Sequence, residues 1–296
     1  MIGILLNPNA GKGKPVKFKE RVKSVVNSLG YTPLFKCTKF RGHEKEVIEE
    51  FIGKKIKKII IMGGDGTINE SLRALIGKST EILPLPMGSG DDYIRSIYGT
   101  TDIEVILNKL KKDEWKTFPV GEVKAGNEKY YFINGLGIGF DADVLVKMKN
   151  FRFKYLNGPM QYLMSIISTI FFYKANEITF ISGDTVDKRK ILLLTIGLGK
   201  FLGGGFMLLP KANPLKRKFD ASIVNEVNKL IFFRLLPSAK NGNHLTSRYV
   251  KYIEGIESLI IKSKELIKFH LDGELMPVKY REIEVSIKNE GVKIIV

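Results

Sequence analysis

Cysteine is almost missing from this chain: Cys37 is the single one among 296 residues. No intrachain disulfide can form, zinc sites built from cysteine are excluded, and a reducing, cytoplasmic setting fits. Histidine is nearly as scarce. His43, His244 and His270 are scattered at spacings that match no metal-ligand pattern, so each reads as a structural or surface side chain. Tryptophan occurs once, at Trp115, and is expected to pack near a domain junction. Long apolar runs are absent too. The N-terminus, MIGILLNPNAG, has no basic segment and too short an apolar stretch for a signal peptide. The longest apolar stretch, MQYLMSIISTIFFY at 160–173, falls short of the ~20 residues that span a bilayer. It is expected to be a buried or interfacial helix, mostly core by default.

Acidic residues are in deficit, with 31 Asp and Glu against 48 Lys and Arg and a formal net charge of +17. That surplus favours an anionic partner: a phosphate-bearing ligand, nucleic acid or an acidic membrane surface. Lys-rich surfaces also accompany heat adaptation. No helix-turn-helix, OB or aromatic-basic signature goes with the charge, so nucleic acid is not expected. With 44% apolar residues the chain can bury substantial cores, and its length suits two domains.

The first third alternates strand and helix. Strands are expected at 2–6, 31–37, 57–62 and 81–86. Between them, Phe18, Val22, Val25, Val26 and Leu29, then Val47, Ile48, Phe51 and Ile52, then Ile68, Leu72, Leu75 and Ile76 recur at helical spacing. This βαβα order predicts a parallel sheet with helices on both faces, a Rossmann-like α/β domain over 1–116. From 117 the pattern changes. A hairpin about Gly126-Asn127 precedes a helical region at roughly 140–174 and then short strands to the end. A β-rich, β-sandwich-like domain over 117–296 is expected, with a cleft between the domains and the last strand free to return to the first.

Ligands of open parallel sheets sit at the carboxyl ends of the strands, and three loops there are unusual. NPNAGKGK at 7–14 has neither P-loop nor dinucleotide spacing, yet its glycines, Lys12 and Lys14 suit an anion at a helix start. IIIMGGDGTINESL at 59–72 carries Gly63, Gly64 and Gly66, which let a ligand reach the backbone. In that loop Asp65 either caps a helix or binds Mg²⁺ or a ribose hydroxyl, and Thr67 suits phosphate. LPMGSGDDYIRS at 85–96 sets Gly88 and Gly90 around Ser89, before Asp91 and Asp92. The first and third loops are each compatible with an ordinary turn, whereas three glycines with Asp65 and Thr67 exceed what a turn needs. Together, on consecutive units of one sheet, they point to a nucleotide.

In that order the loops resemble the catalytic domain of the diacylglycerol kinase family, in its soluble bacterial branch, with sphingosine and ceramide kinases as relatives. The matching segments are Asn7-Pro8-Asn9-Ala10-Gly11, Gly63 to Thr67 and Pro86 to Tyr93. FINGLGIGFDADV, GGGFMLLPKANPLKRKFDASIVNEV and HLDGELM extend the likeness over essentially the whole chain. The resemblance implies an ATP- and Mg²⁺-dependent lipid kinase that converts diacylglycerol to phosphatidic acid. It implies nucleotide contacts at Asn7, Thr38, Gly63, Gly64, Gly66, Thr67, Asn69 and Ser89, with Asp65 organising Mg²⁺-ATP. Thr38 reads equally well as a plain loop threonine. The catalytic base implied is Glu274, although Asp272-Gly273 by itself reads as a hairpin turn. A structural Mg²⁺ at Asp220 with the carbonyls of Arg217 and Ser222 is also implied, or a lysine in its place, with Ala221 standing where relatives carry glycine. Asp91 stands where they usually carry asparagine. The implied partners are a membrane lipid and, transiently, an anionic membrane surface on the cytoplasmic side; a homodimer stays open. The alternatives are a sphingoid or prenol-type lipid or NAD as acceptor, and a nucleotide- or lipid-binding regulator that does not turn over.

Overall fold

In a computed structural model the described residues are 1–112, 114–150 and 158–296. The first elements are β1 (Ile2–Leu6), α1 (Lys14–Ser28), β2 (Pro33–Cys37), α2 (His43–Gly53), β3 (Lys58–Gly63), α3 (Asp65–Leu75) and β4 (Glu81–Pro86). There follow α4 (Asp92–Tyr98), α5 (Ile103–Leu107), β5 (Trp115–Phe118), β6 (Gly121–Ala125), β7 (Glu128–Phe132) and β8 (Gly135–Gly139). Next come α6 (Phe140–Asn150), α7 (Gly158–Ile170), β9 (Asn176–Ser182), β10 (Thr185–Gly197), β11 (Phe219–Asn225) and α8 (Lys229–Ser238). The chain ends through β12 (Val250–Ile256), β13 (Ser258–Ser263), β14 (Phe269–Leu271), β15 (Glu274–Leu275), β16 (Glu282–Ile287) and β17 (Val292–Ile295). Two units form: Met1–Val120 with Asn289–Val296, and Gly121–Lys288.

The first unit is a six-stranded sheet in the order β2-β1-β3-β4-β17-β5. Strands β1 and β3 are buried along nearly their whole length, as continuous Ile-Leu runs require when helices cover both faces. The centres of the predicted stripes of α1, α2 and α3 are buried, while Phe18, Leu29, Ile52 and Ile76 at their edges are half-buried. The expected boundary at 116 falls four residues early. β5 runs to Phe118 and pairs antiparallel with β17, which in turn lies parallel to β4. The chain's last strand therefore fills an interior place in the first sheet.

The second unit is an eleven-stranded, curled antiparallel sheet. Val123, Phe132, Leu136, Ile138, Phe180, Leu194, Ile196, Phe219 and Phe269 belong to its main core. Alternation places the intervening residues on the other face. There Phe140 and Val144 of α6, Ile166 and Ile170 of α7, and Phe232 of α8 pack on Leu192 and Val224. The strand-rich reading of this region omits α8. Its KLIFFRLL run has no clear polar face, and its start depends on Asn228, whose Oδ1 accepts the Ile231 N–H at 2.9 Å. Of the two readings of 160–173, the mostly-core one is corrected. α7 buries Ser165, Ile166, Thr169 and Ile170, while Leu163, Met164 and the following Phe171 and Phe172 stay exposed.

Ile294 is fully buried on β17, opposite Ile82 and Lys116. Truncation to alanine should cost ~2–5 kcal/mol of stability, read as a lower urea midpoint for the first unit. An unchanged midpoint would show that β17 is not integral to that sheet.

Candidate functional site

The candidate residues of the first unit gather at the carboxyl ends of β1, β3 and β4. Asn7 follows β1 directly; its Nδ2 donates to Thr67 Oγ1 at 2.9 Å and to Glu44 Oε1 at 3.4 Å, while its Oδ1 accepts the Asn9 N–H. Asn7 thus ties the first loop to the first turn of α3. Thr38 is buried just beyond β2, with its N–H on the Leu6 carbonyl. Gly63 ends β3, Gly66 is exposed at the start of α3, and Asn69 is half-buried one turn on. Ser89 is exposed in the third loop. Lys12 is exposed in a left-handed backbone conformation, whereas Lys14 Nζ donates to the Pro86 carbonyl at 2.7 Å and so clamps the third loop to α1.

The second and third loops touch where neither has a side chain. A Cβ on Gly64 would lie 2.7 Å from the Gly88 Cα, and a Cβ on Gly88 would meet the Gly64 Cα at the same distance. Any other residue would push the loops apart. Asp65 then bridges them. Its Oδ2 accepts the Asp92 N–H at 3.0 Å and its Oδ1 the Tyr93 N–H at 3.1 Å. It therefore caps α4, a helix from the neighbouring loop, and its own helix α3 has no side-chain cap. The capping reading of Asp65 is correct in kind but not in partner.

Three aspartates now stand together at one helix start. Burial, then the Asp92 charge, pushes the Asp65 carboxyl up to about 7, against the pull of the two N–H bonds. Burial likewise raises Asp91 to about 6, although Gly88 N–H donates to its Oδ1 at 2.8 Å and Lys14 is near. Glu44, whose place in the site the sequence reading missed, is a third strained acid. It is buried in the first turn of α2 with Oε2 unpartnered, and burial followed by the Glu70 charge raises its pKa. Its signal was present in the sequence as an acid on the inward side of an amphipathic helix.

In the second unit, Asp272 and Gly273 have φ of 48° and 84° and turn β14 into β15, so the hairpin reading of this pair is what the backbone adopts. The Asp272 side chain points inward and accepts the N–H groups of Ile133, Asn134 and Gly135 at 2.8–3.0 Å. Glu274 is the first residue of β15 and is half-buried. His270, read from sequence as structural or surface, is buried behind this turn. Its Nδ1 accepts the Gly273 N–H at 3.3 Å, so Nε2 carries the proton and donates to Asp141 Oδ2 at 2.9 Å. The Asp141–His270 pair and Asp272 together fix the turn that presents Glu274.

Of the set implied for a structural Mg²⁺, the Asp220 carboxylate is engaged within the fold. Tyr252 donates to Asp220 Oδ2 at 2.6 Å and Gly255 N–H to Oδ1 at 3.2 Å, so both carboxylate oxygens already serve the fold. Arg217 donates to the Lys288 carbonyl, and the Ser222 hydroxyl is buried without a partner. Among the described residues no group of three acidic, His or Cys side chains could hold a metal. No step is derived through a cation at this place.

A parallel α/β unit with glycine-built loops at its strand ends, followed by a curled antiparallel unit, defines a two-domain fold of kinase type. The chain belongs to the family that joins a diacylglycerol kinase catalytic domain, matched over residues 1–123, to a YegS C-terminal NAD kinase beta sandwich-like domain, matched over residues 135–292. Members are kinase-type phosphotransferases, lipid kinases among them. The chain is 27% identical to "Putative lipid kinase YtlR" of Bacillus subtilis, with 92% of each chain covered. It is 23% identical to a diacylglycerol kinase of the same organism, covering 97% of this chain and 96% of that one. In fold it is similar to a Bacillus anthracis protein described as a "putative diacylglycerol kinase", with TM-score 0.76, 20% identity and 99% and 96% of the chains covered. It is also similar to an Archaeoglobus fulgidus NAD kinase solved in complex with ATP, with TM-score 0.56, 11% identity and 100% and 94% covered.

A carboxyl whose pKa rises on folding stabilises the fold at low pH, and that stability is lost as pH climbs through the raised value. Asp65 and Asp91 should therefore lower the melting temperature as pH rises through about 6 to 7. Asp91→Asn keeps an acceptor for Gly88 N–H and tolerates the left-handed backbone at φ 53°. It should raise the melting temperature at pH 8 by about 2–4 °C and leave it unchanged near pH 4. An equal shift at both values would mean that Asp91 ionisation is not the cause.

Proposed function

We propose that the protein is an ATP-dependent lipid kinase that phosphorylates the free hydroxyl of diacylglycerol, giving phosphatidic acid and ADP. The observation that carries this reading is the glycine-only approach of Gly64 to Gly88 beside Asp65, in a chain of this family. A surface without Cβ atoms at strand ends, with helix N-termini nearby, suits nucleotide phosphates. Asn7, Thr38, Gly63, Gly64, Gly66, Thr67, Asn69 and Ser89 would contact the nucleotide, and Lys12 would add positive charge. Asp65 fits Mg²⁺ delivered with ATP, since Mg²⁺ takes one or two carboxylates alongside substrate phosphates. When bound, Mg²⁺ supplies neutralisation of phosphate charge. A cation beside Asp65 would favour its ionised form against the burial that raises its pKa.

Glu274 would accept the hydroxyl proton of the lipid as the new O–P bond forms and the bond from the γ-phosphorus to ADP breaks. Asp272, His270 and Asp141 would hold the Glu274 turn in place. A lipid substrate of this kind implies work at the inner face of the cytoplasmic membrane. The fold likeness to an NAD kinase keeps NAD, with sphingoid and prenol-type lipids, as competing acceptors.

Purified protein, γ-labelled ATP and Mg²⁺, offered diacylglycerol, sphingoid and prenol lipids in mixed micelles and NAD in solution, should label diacylglycerol. Label on another acceptor would change the substrate and keep the mechanism. ATP binding without transfer to any acceptor would favour a regulator. Glu274→Gln should lower turnover by roughly 10²–10⁴ with ATP affinity retained. Asp65→Ala should lower it by about 10² or more and weaken Mg²⁺-ATP binding. Near-normal turnover in either variant would remove that residue from its role.

A further inference from the structure

α7 is apolar on both sides. Its inward face is the more polar of the two, with Ser165 and Thr169 buried and their hydroxyls returned to the carbonyls one turn back. Outward it presents Leu163 and Met164, and the stripe continues into Phe171, 52% exposed, and Phe172, 79% exposed. The first turns of α8 extend the same surface: the Phe171 and Phe233 ring centroids are 6.4 Å apart, and Leu230 is 82% exposed. A groove of about 490 Å³, lined by Ile170, Leu192, Val227 and Leu230 among others, opens at its edge. A helix apolar all round is normally buried, and a clustered apolar patch of this kind marks a contact surface.

Its rim is basic. Lys229 Nζ sits 4.7 Å from the Phe171 ring centre and Lys147 Nζ 5.0 Å from that of Phe172. Lys174 and Arg234 are exposed beside them, in a chain of net charge +17. Aromatic and aliphatic side chains that project past a ring of Lys and Arg match the boundary of an anionic bilayer, where acyl chains take the first and headgroups the second. A second copy of the chain fits less well. A two-fold contact sets the patch against itself and brings like charges face to face.

We propose that the exposed face of α7, with Phe171 and Phe172, and the start of α8, with Leu230 and Phe233, form a docking surface for an anionic lipid bilayer. This deepens the lipid-kinase reading and rests on it for its purpose, but binding can be measured with no ATP present. In flotation assays the protein should bind phosphatidylglycerol-containing vesicles, with affinity that falls as salt rises, and should bind phosphatidylcholine vesicles weakly. Phe172→Asp combined with Leu230→Asp should lower the bound fraction at least tenfold, with an unchanged melting temperature because both side chains are exposed. Lys174→Glu with Lys229→Glu should weaken binding and flatten its salt dependence. In a Phe172→Trp variant, indole emission should shift to the blue on anionic vesicles and be quenched by brominated acyl chains. Wild-type protein that ignores anionic vesicles would overturn the proposal. So would a doubly substituted variant that floats like wild type, or an emission from the Phe172→Trp variant that stays unmoved while the protein floats. Conversion of a dimer to a monomer by the Asp substitutions, with vesicle binding intact, would assign the patch to self-association instead. Absence of kinase activity with vesicle binding intact would count against the function and leave the docking surface standing.

Discussion

The contact between Gly64 and Gly88 is the constraint on which the first unit's site depends. Two loops from neighbouring strands meet at a separation that admits no side chain, so their backbones share one surface. Asp65 makes that closeness permanent by taking the first N–H groups of α4 across the gap. The carboxylate is thereby partly desolvated and set beside two further aspartates, which raises its pKa and stores unfavourable charge at the strand ends. Positive charge nearby relieves such a cluster, and Lys14 supplies some of it at Asp91.

The second unit solves a different problem with related means. A two-residue turn must hold Glu274 in one place although β15 is only two residues long. Asp272 anchors the turn on three backbone N–H groups, and His270, oriented by Asp141, receives a fourth from Gly273. Each acceptor is buried or half-buried, where a satisfied hydrogen bond matters more than in water. The turn that carries Glu274 is thus fixed through its backbone.

Much of the fold was legible in the sequence because its signals are local. Continuous Ile-Leu strands, helical stripes and Gly-Asn or Asp-Gly turns each act over a few residues, and they placed the parallel sheet, its helices and the β6–β7 hairpin. α8 was not legible, since KLIFFRLL has neither clear period and only its Asn228 cap marks a start. The boundary at Val120 was hidden because β5 belongs to the first sheet only through pairing with β17, at the far end of the chain. His270 looked idle for the same reason: its partner Asp141 lies 129 residues away.

The amino-acid sequence by itself determined the order of strands and helices, the absence of disulfides, the glycine loops and the family that those loops resemble, because glycine, β-branched residues and turn pairs act on their own backbone. Only the tertiary structure decided that Asp65 caps a foreign helix, that Asp220 is spent on Tyr252 and Gly255, and that the most apolar segment turns half of its surface to solvent. Those outcomes depend on which distant groups compete for the same hydrogen bonds and the same buried space, and that competition exists only once the chain has closed on itself.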